Sequence, residues 1–250
     1  MDFDGGFLLG SGNRCDPLTS IDTRNRDLLL FLPICVLRGR ENLTRSLLER
    51  AFQTYGRPGT IQTDNAPPFW NQSLGGLTQL SVWLLEPGIV LDRSEPGCRP
   101  EYEDLRPLHQ TIKRAACNAP AMNGTRQQEL LDEARRDFNE ARSGAALQFK
   151  APSRPYHGAQ REWTDRKLDK MSYDENWGSR VVMTSGHIEW NERKVATNPA
   201  LAGERVVLEP LKDGVWRMWF GSHALGLSTK RAMRLPPSRT TTPLRSVRNV

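Results

Sequence analysis

The chain has little cysteine and no cluster of it. Cys15, Cys35, Cys98 and Cys117 are widely separated, and none forms a Cys-x-x-Cys pair. That spacing excludes the usual opening of a zinc site and the dense disulfide framework of small secreted domains, and it predicts reduced, mostly buried thiols. Long apolar runs are lacking as well. No stretch approaches the ~20 apolar residues that a bilayer span needs, and the N-terminus lacks the basic-then-apolar order of a signal peptide. No membrane partner and a cytoplasmic location are expected. Internal repeats are also missing, so a solenoid or array is excluded.

What is present is a 250-residue chain with 37% hydrophobic residues, enough for a real core and for one medium domain plus a smaller one. The net charge of +6 is concentrated at one end. The segment from Lys230 to Val250 carries six Lys and Arg and no Asp or Glu, so it holds the whole surplus. It is also rich in Pro, Ser and Thr, which predicts a flexible basic arm suited to phosphate contacts, or a merely solubilising end.

Hydrophobic spacing predicts the order βββαβαβ followed by helices. Asp16 to Asp22 and Leu28 to Val36 read as strands joined by the polar turn Thr23 to Arg26. Leu43, Leu47, Leu48, Ala51, Phe52 and Tyr55 recur at helical spacing, and Gly56 and Pro58 supply a stop. Thr60 to Asp64 reads as a strand, Leu77 to Leu84 as a short apolar helix and Ile89 to Leu91 as another strand. A turn-rich loop from Ser94 to Leu108 precedes a helix carrying His109, Ile112 and Ala116, with Asp104 a fitting N-cap. In the next helix Leu130, Leu131, Ala134, Phe138 and Ala141 share one face.

Residues 151–178 lose apolar periodicity and read as a linker. Beyond it Arg180 to Trp190, Arg193 to Thr197, Glu204 to Leu211 and Asp213 to Phe220 read as short strands, the last opening on an Asp-Gly hairpin signal. Four or five short strands suggest a small β-barrel in which Trp and Met serve as core rather than as a base-stacking platform. The expected division is a core at 1–150, a linker at 151–178, a small β-barrel at 179–229 and a basic tail at 230–250.

Two carboxylates stand out. Asp2 in MDFDGGF and Asp64 in IQTDNAPPF each end a short apolar run that reads as a strand. Strand-end acids can meet at one sheet edge and share hard cations through oxygen ligands, an arrangement suited to phosphodiester chemistry. Taken alone, Asp64-Asn65 before Ala-Pro-Pro reads rather as an Asx-type turn closing a strand, a preference that the order of motifs along the chain reverses.

Several motifs in order then point to a family. Met1 to Thr19, Ile21 to Arg26, Tyr55 to Phe69, Leu80 to Ile89, the HQTIK of His109 to Lys113 and the FNEAR of Phe138 to Arg142 together resemble the catalytic core of DDE transposases of bacterial insertion sequences, a core similar to that of retroviral integrases. Ala200 to Gly221 looks like the family's C-terminal barrel. The resemblance covers nearly the whole chain. It implies a ribonuclease-H-like mixed five-stranded sheet with flanking helices, a DNA-binding barrel behind it, Mg²⁺- or Mn²⁺-dependent cleavage and strand transfer on DNA, and a homo-oligomer on DNA. Asp2 matches the family's first acid and Asp64 its second, both as metal ligands. DNA contacts are expected from Asn65, Lys113, Arg193, Lys194, Lys230, Arg231 and Arg234.

The family's third acid, a Glu three residues before the His of HQTIK, falls on Arg106 in ungapped counting from Trp83 to His109. Glu103, one helical turn earlier, and Asp104 are the candidate replacements. Arg142-Ser143-Gly144 stands where the family has Arg-Pro-His. The helical DNA-recognition region that precedes the first acid in the family is missing from the sequence, so an N-terminally truncated copy is expected. Three functions remain: a transposase or integrase-like enzyme, a catalytically inactive DNA-binding remnant, and a general nuclease of the same fold.

Overall fold

β3 (Arg14–Ile21) buries Cys15, Pro17, Leu18 and Thr19 and β4 (Leu28–Ile34) buries Leu28, Leu30, Phe31 and Ile34, and these two strands form an antiparallel pair with Thr19 opposite Phe31. A computed structural model describes residues 1–3, 6–23, 27–35, 40–93, 119–145, 162–163, 176–228 and 233–234. On its other side β3 pairs with two short strands in turn, β1 (Asp2–Phe3) opposite Thr19 and Leu18 and β2 (Phe7–Leu8) opposite Cys15 and Arg14. The result is a four-stranded antiparallel sheet. Pro17 lies opposite Pro33, and on its other side it faces the break between β1 and β2. Neither proline is therefore asked for an N–H that it lacks.

Helix α1 (Arg40–Tyr55) buries Leu48, Ala51 and Phe52, the apolar face read from spacing. It stops at Gly56, whose positive φ of 83° lets its N–H return to the Phe52 carbonyl at 2.9 Å. Strand β5 (Thr60–Thr63) pairs with β6 (Val90–Arg93), and α2 (Gln79–Leu85) lies between them in sequence. Helix α3 (Gly124–Ala145) lies along β4. There Leu131 closes a core cluster with Leu28 and Phe31, flanked by Ile21, Ala134 and Phe138.

β4 has no strand partner on its outer side among the described residues, and α3 serves that edge with side chains. Gln128 donates to the Phe31 carbonyl (3.2 Å) and Arg135 to the Leu29 carbonyl (3.1 Å), while the Asn139 amide both accepts from the Leu28 N–H (3.0 Å) and donates to its carbonyl (3.2 Å). A bare strand edge invites pairing with another chain, and polar side chains on these groups blunt it.

The C-terminal strands form an antiparallel sheet ordered β13-β12-β11-β10-β7 in the labels β7 (Gly178–Val181), β10 (Arg205–Pro210), β11 (Trp216–Phe220), β12 (His223–Ser228) and β13 (Met233–Arg234). β8 (His187–Trp190) and β9 (Arg193–Ala196) make a separate hairpin. Its two-residue turn holds Asn191 and Glu192 at φ of 49° and 60°, and Asp213-Gly214 turns between β10 and β11 with φ of 60° and 68°. Both are positive at two successive residues, the geometry that matches hairpin twist.

Contacts divide the chain into two compact units. The first comprises 1–58, 62–64 and 93–163, and the second 59–61, 65–92 and 164–250. The architecture is mixed α/β with several sheets and few helices. Two expectations are corrected. The N-terminal sheet has four described strands where five were expected, because β5 and β6 form a sheet of two. The C-terminal sheet is open, because β7 pairs with β10 and β13 with β12 and no described ladder joins the two ends into a barrel. The loop and helix expected at 94–118 lie outside the described residues, as does most of the 151–178 linker. Within the basic tail, Met233 and Arg234 form strand β13 opposite Ser228 and Leu227. Cys15 is buried and Cys35 half-buried, and neither forms a disulfide among the described residues, while Cys98 and Cys117 lie outside them.

Candidate functional site

Asp64 follows β5, in which Ile61 and Thr63 are buried and Gln62 is half-buried. Alternation puts Asp64 on the Gln62 side of the strand. The residue is half-buried overall, and its Oδ1 is closed off from solvent. The N–H groups of Phe69 and Trp70 both return to the Ala66 carbonyl at 3.2 Å. Phe69 and Trp70 are then fully buried, which anchors the chain just downstream of the acid.

The loop is held a second time from the start of α2. Thr78 is the N-cap of that helix, and its hydroxyl donates to the Pro68 carbonyl at 2.6 Å while accepting from the Ser81 N–H at 3.1 Å. The Ser81 hydroxyl donates to the Phe69 carbonyl. A capping box thus serves two loop carbonyls as well as its own helix end. Its Thr-x-x-Ser spacing was readable in the sequence, but its reach back to Pro68 and Phe69 was not.

β1 runs beside β5 at its start, since the Met1 nitrogen donates to the Gln62 carbonyl at 2.7 Å. The backbone of Asp2 is placed by its pairing with Thr19, and its side chain lies outside the described residues. Glu103, Asp104, Arg106 and Lys113 also lie outside them. A hard cation fits Asp64 as one oxygen donor. Among the described residues no group of three His, Cys, Asp or Glu side chains is arranged to hold a metal ion.

The expected DNA contacts are dispersed. Asn65 is exposed directly after Asp64, while Arg193 and Lys194 are exposed on β9, opposite Trp190 and Glu189 respectively. Lys230 and Arg231 lie outside the described residues, and so does the Arg234 side chain.

Trp190, Trp216 and Trp219 of the second unit are engaged with the protein. Trp190 meets Trp216 edge to face at 5.0 Å, carries Arg180 4.8 Å from its ring centre, and packs over Gly178, where a Cβ would come within 2.1 Å of the ring. Trp219 is buried and donates from Nε1 to Glu209 at 2.9 Å. These contacts agree with a packing role rather than a stacking platform. Two residues with a structural role escaped the sequence reading. Asn139, inside FNEAR, pins α3 to β4. Asn198 is 1% exposed and bonds to the Ser73–Leu77 segment.

No protein-family model matches the chain. Among solved structures, it is similar to a chain in the cryo-EM structure of a simian T-cell lymphotropic virus intasome in complex with the PP2A regulatory subunit B56 gamma, at 13% identity and a TM-score of 0.43, covering 94% of this chain and 78% of that one. Among the described residues, no helix is long and apolar enough to cross a membrane.

Proposed function

We propose that the chain is a DDE-transposase-like protein that cleaves and joins DNA through a divalent-metal site centred on Asp2 and Asp64. The observation that carries this reading is the bond from Met1 to Gln62, which draws the strand of the first acid alongside the strand that ends at the second. The described ladders pair β1 with β3 and β5 with β6, and a parallel continuation of that single bond would set residues 2 and 64 level on neighbouring strands. The order of motifs from Met1 to Arg142 supports it independently.

In this reading Asp2 and Asp64 would hold Mg²⁺ or Mn²⁺, with Glu103 or Asp104 as the third ligand. When bound, such ions would supply activation of a water or 3′-hydroxyl and stabilisation of charge at the transferring phosphate. The protein's part would be to hold the Asp64 carboxylate at the end of β5, where the following loop is anchored by the buried Phe69 and Trp70 and by the Thr78–Ser81 cap. Asn65, exposed beside Asp64, would face the DNA backbone. Residues 1–150 would form a ribonuclease-H-like core and residues 179–229 a DNA-binding module, with 151–178 linking them. Arg193, Lys194 and the tail from Lys230 would contact phosphates, and two or more copies would act together on DNA.

The test is nicking of supercoiled DNA in Mg²⁺ or Mn²⁺. The protein should nick, and Asp64→Asn should reduce nicking to background. A second reading, a DNA-binding remnant without catalysis, is favoured by Arg106 at the family's Glu position. It predicts DNA binding that chelator leaves unchanged and no nicking in either metal.

A further inference from the structure

Within the second unit, Asn198, His223 and Leu225 hold the segment 70–77, downstream of Asp64 in the chain. Asn198 lies in the connection between β9 and β10, on a 3₁₀ turn at Pro199–Leu201, and its Oδ1 accepts from the Ala200 N–H at 2.9 Å. Its Nδ2 donates into a nest of three oxygens, the Leu77 carbonyl at 2.8 Å, the Leu74 carbonyl at 3.0 Å and the Ser73 hydroxyl at 2.6 Å. Two of those oxygens are carbonyls and can only accept, so the nitrogen must face them. Near the start of β12, His223 Nε2 lies 2.9 Å from the Gly75 carbonyl and its ring packs on Trp70 at 5.6 Å. Leu225 closes over Gly75, where φ is +71° and any Cβ would approach Leu225 to 2.7 Å.

Within 70–77 the Asn71 N–H reaches the Gly76 carbonyl, the Gly76 N–H reaches the Ser73 carbonyl, Trp70 bridges to Leu77, and Ser73 bonds to the Asn71 side chain through its N–H and its hydroxyl, the hydroxyl also reaching the Leu77 carbonyl. Carbonyls 74, 75 and 77 in addition take side-chain bonds from Asn198 and His223, which lie outside the segment. We propose that Asn198 is a positioning residue, and that it and His223 form an intramolecular brace through which the C-terminal sheet sets the conformation of the segment leaving Asp64. A sheet that binds DNA would thereby be tied mechanically to the loop beside the candidate cleavage site. The brace rests only on contacts within one unit, whereas its catalytic consequence rests on the function proposed above.

Amide hydrogen exchange of the full chain tests it, with Asn198→Asp and His223→Phe. Asn198→Asp keeps shape and the bond from Ala200 but turns an oxygen toward the Leu74 and Leu77 carbonyls. Exchange across 70–85 should accelerate roughly tenfold or more in Asn198→Asp, and less in His223→Phe, which keeps the ring on Trp70. Exchange of β3 and β4 should not change. Unaltered exchange at 70–85 in both variants, or equal acceleration everywhere, overturns the brace. Nicking measured on the same samples should show a kcat lowered about tenfold or more with DNA affinity retained. If the unaltered protein does not nick, the proposed function fails while the exchange data still decide the brace. If it nicks and Asn198→Asp nicks equally well, the positioning role fails.

Discussion

At the scale of single residues, most of the polar groups that matter here hold backbone rather than face solvent. Asn139 is the clearest case, because one amide serves both the N–H and the carbonyl of Leu28. Asn139→Ala leaves two edge groups without that partner and should destabilise the protein by about 1–3 kcal/mol, read as a shift in the urea midpoint. A loss below the error of the measurement would show that water replaces the amide at no cost. The sequence displayed Asn139 only as a motif letter in FNEAR, since nothing in local spacing says that a helix residue reaches a strand more than a hundred positions away. Asp64 was legible for the opposite reason, its signal being local: an alternating strand followed by Asn-Ala-Pro-Pro. Glu192 stands at a φ of 60°, a conformation that side chains other than Gly, Asn and Asp adopt at a cost. Glu192→Gly should stabilise the β8–β9 turn by up to about 1 kcal/mol, measured by thermal unfolding.

At the scale of elements, hydrophobic period predicted α1, β3, β4, β5 and the apolar face of α3 within a few residues, because each pairs a strong period with a clear stop. It missed β2, β12 and β13. β2 and β13 are two residues each, too short to carry any period, and β12 reads His-Ala-Leu-Gly-Leu-Ser, where glycine interrupts the pattern. The barrel expectation failed because closure depends on which strands pair at the ends, and composition does not encode that. α3 is the element most exposed to a packing test. Leu131 is fully buried against Leu28 and Phe31, so Leu131→Ala should cost about 2–5 kcal/mol, while the exposed Glu133→Ala should cost under about 0.5 kcal/mol. Similar losses for the two, followed by chemical denaturation, would contradict the placement of α3 on β4.

At the scale of the whole molecule, the charge surplus and the candidate acid site lie far apart in the chain, and under the proposed function each would make its own contact with DNA. The tail beyond β13 carries Arg239, Arg245 and Arg248. Truncation after Arg234 preserves the last described strand and removes those three charges. If all three contact phosphate, the slope of log affinity against log salt should fall by up to about 2.7, at about 0.9 per contact. An unchanged slope would mean the tail solubilises the protein and does not bind.

The central claim is that Asp2 and Asp64 share one metal site. It is tested most directly by titrating Mn²⁺ into the full chain, its Asp2→Asn and Asp64→Asn variants and the double variant, followed by calorimetry. One shared site predicts that each single substitution weakens binding strongly and that the double variant loses little more. Binding retained in Asp64→Asn, or losses from the two substitutions that simply add, would contradict the account.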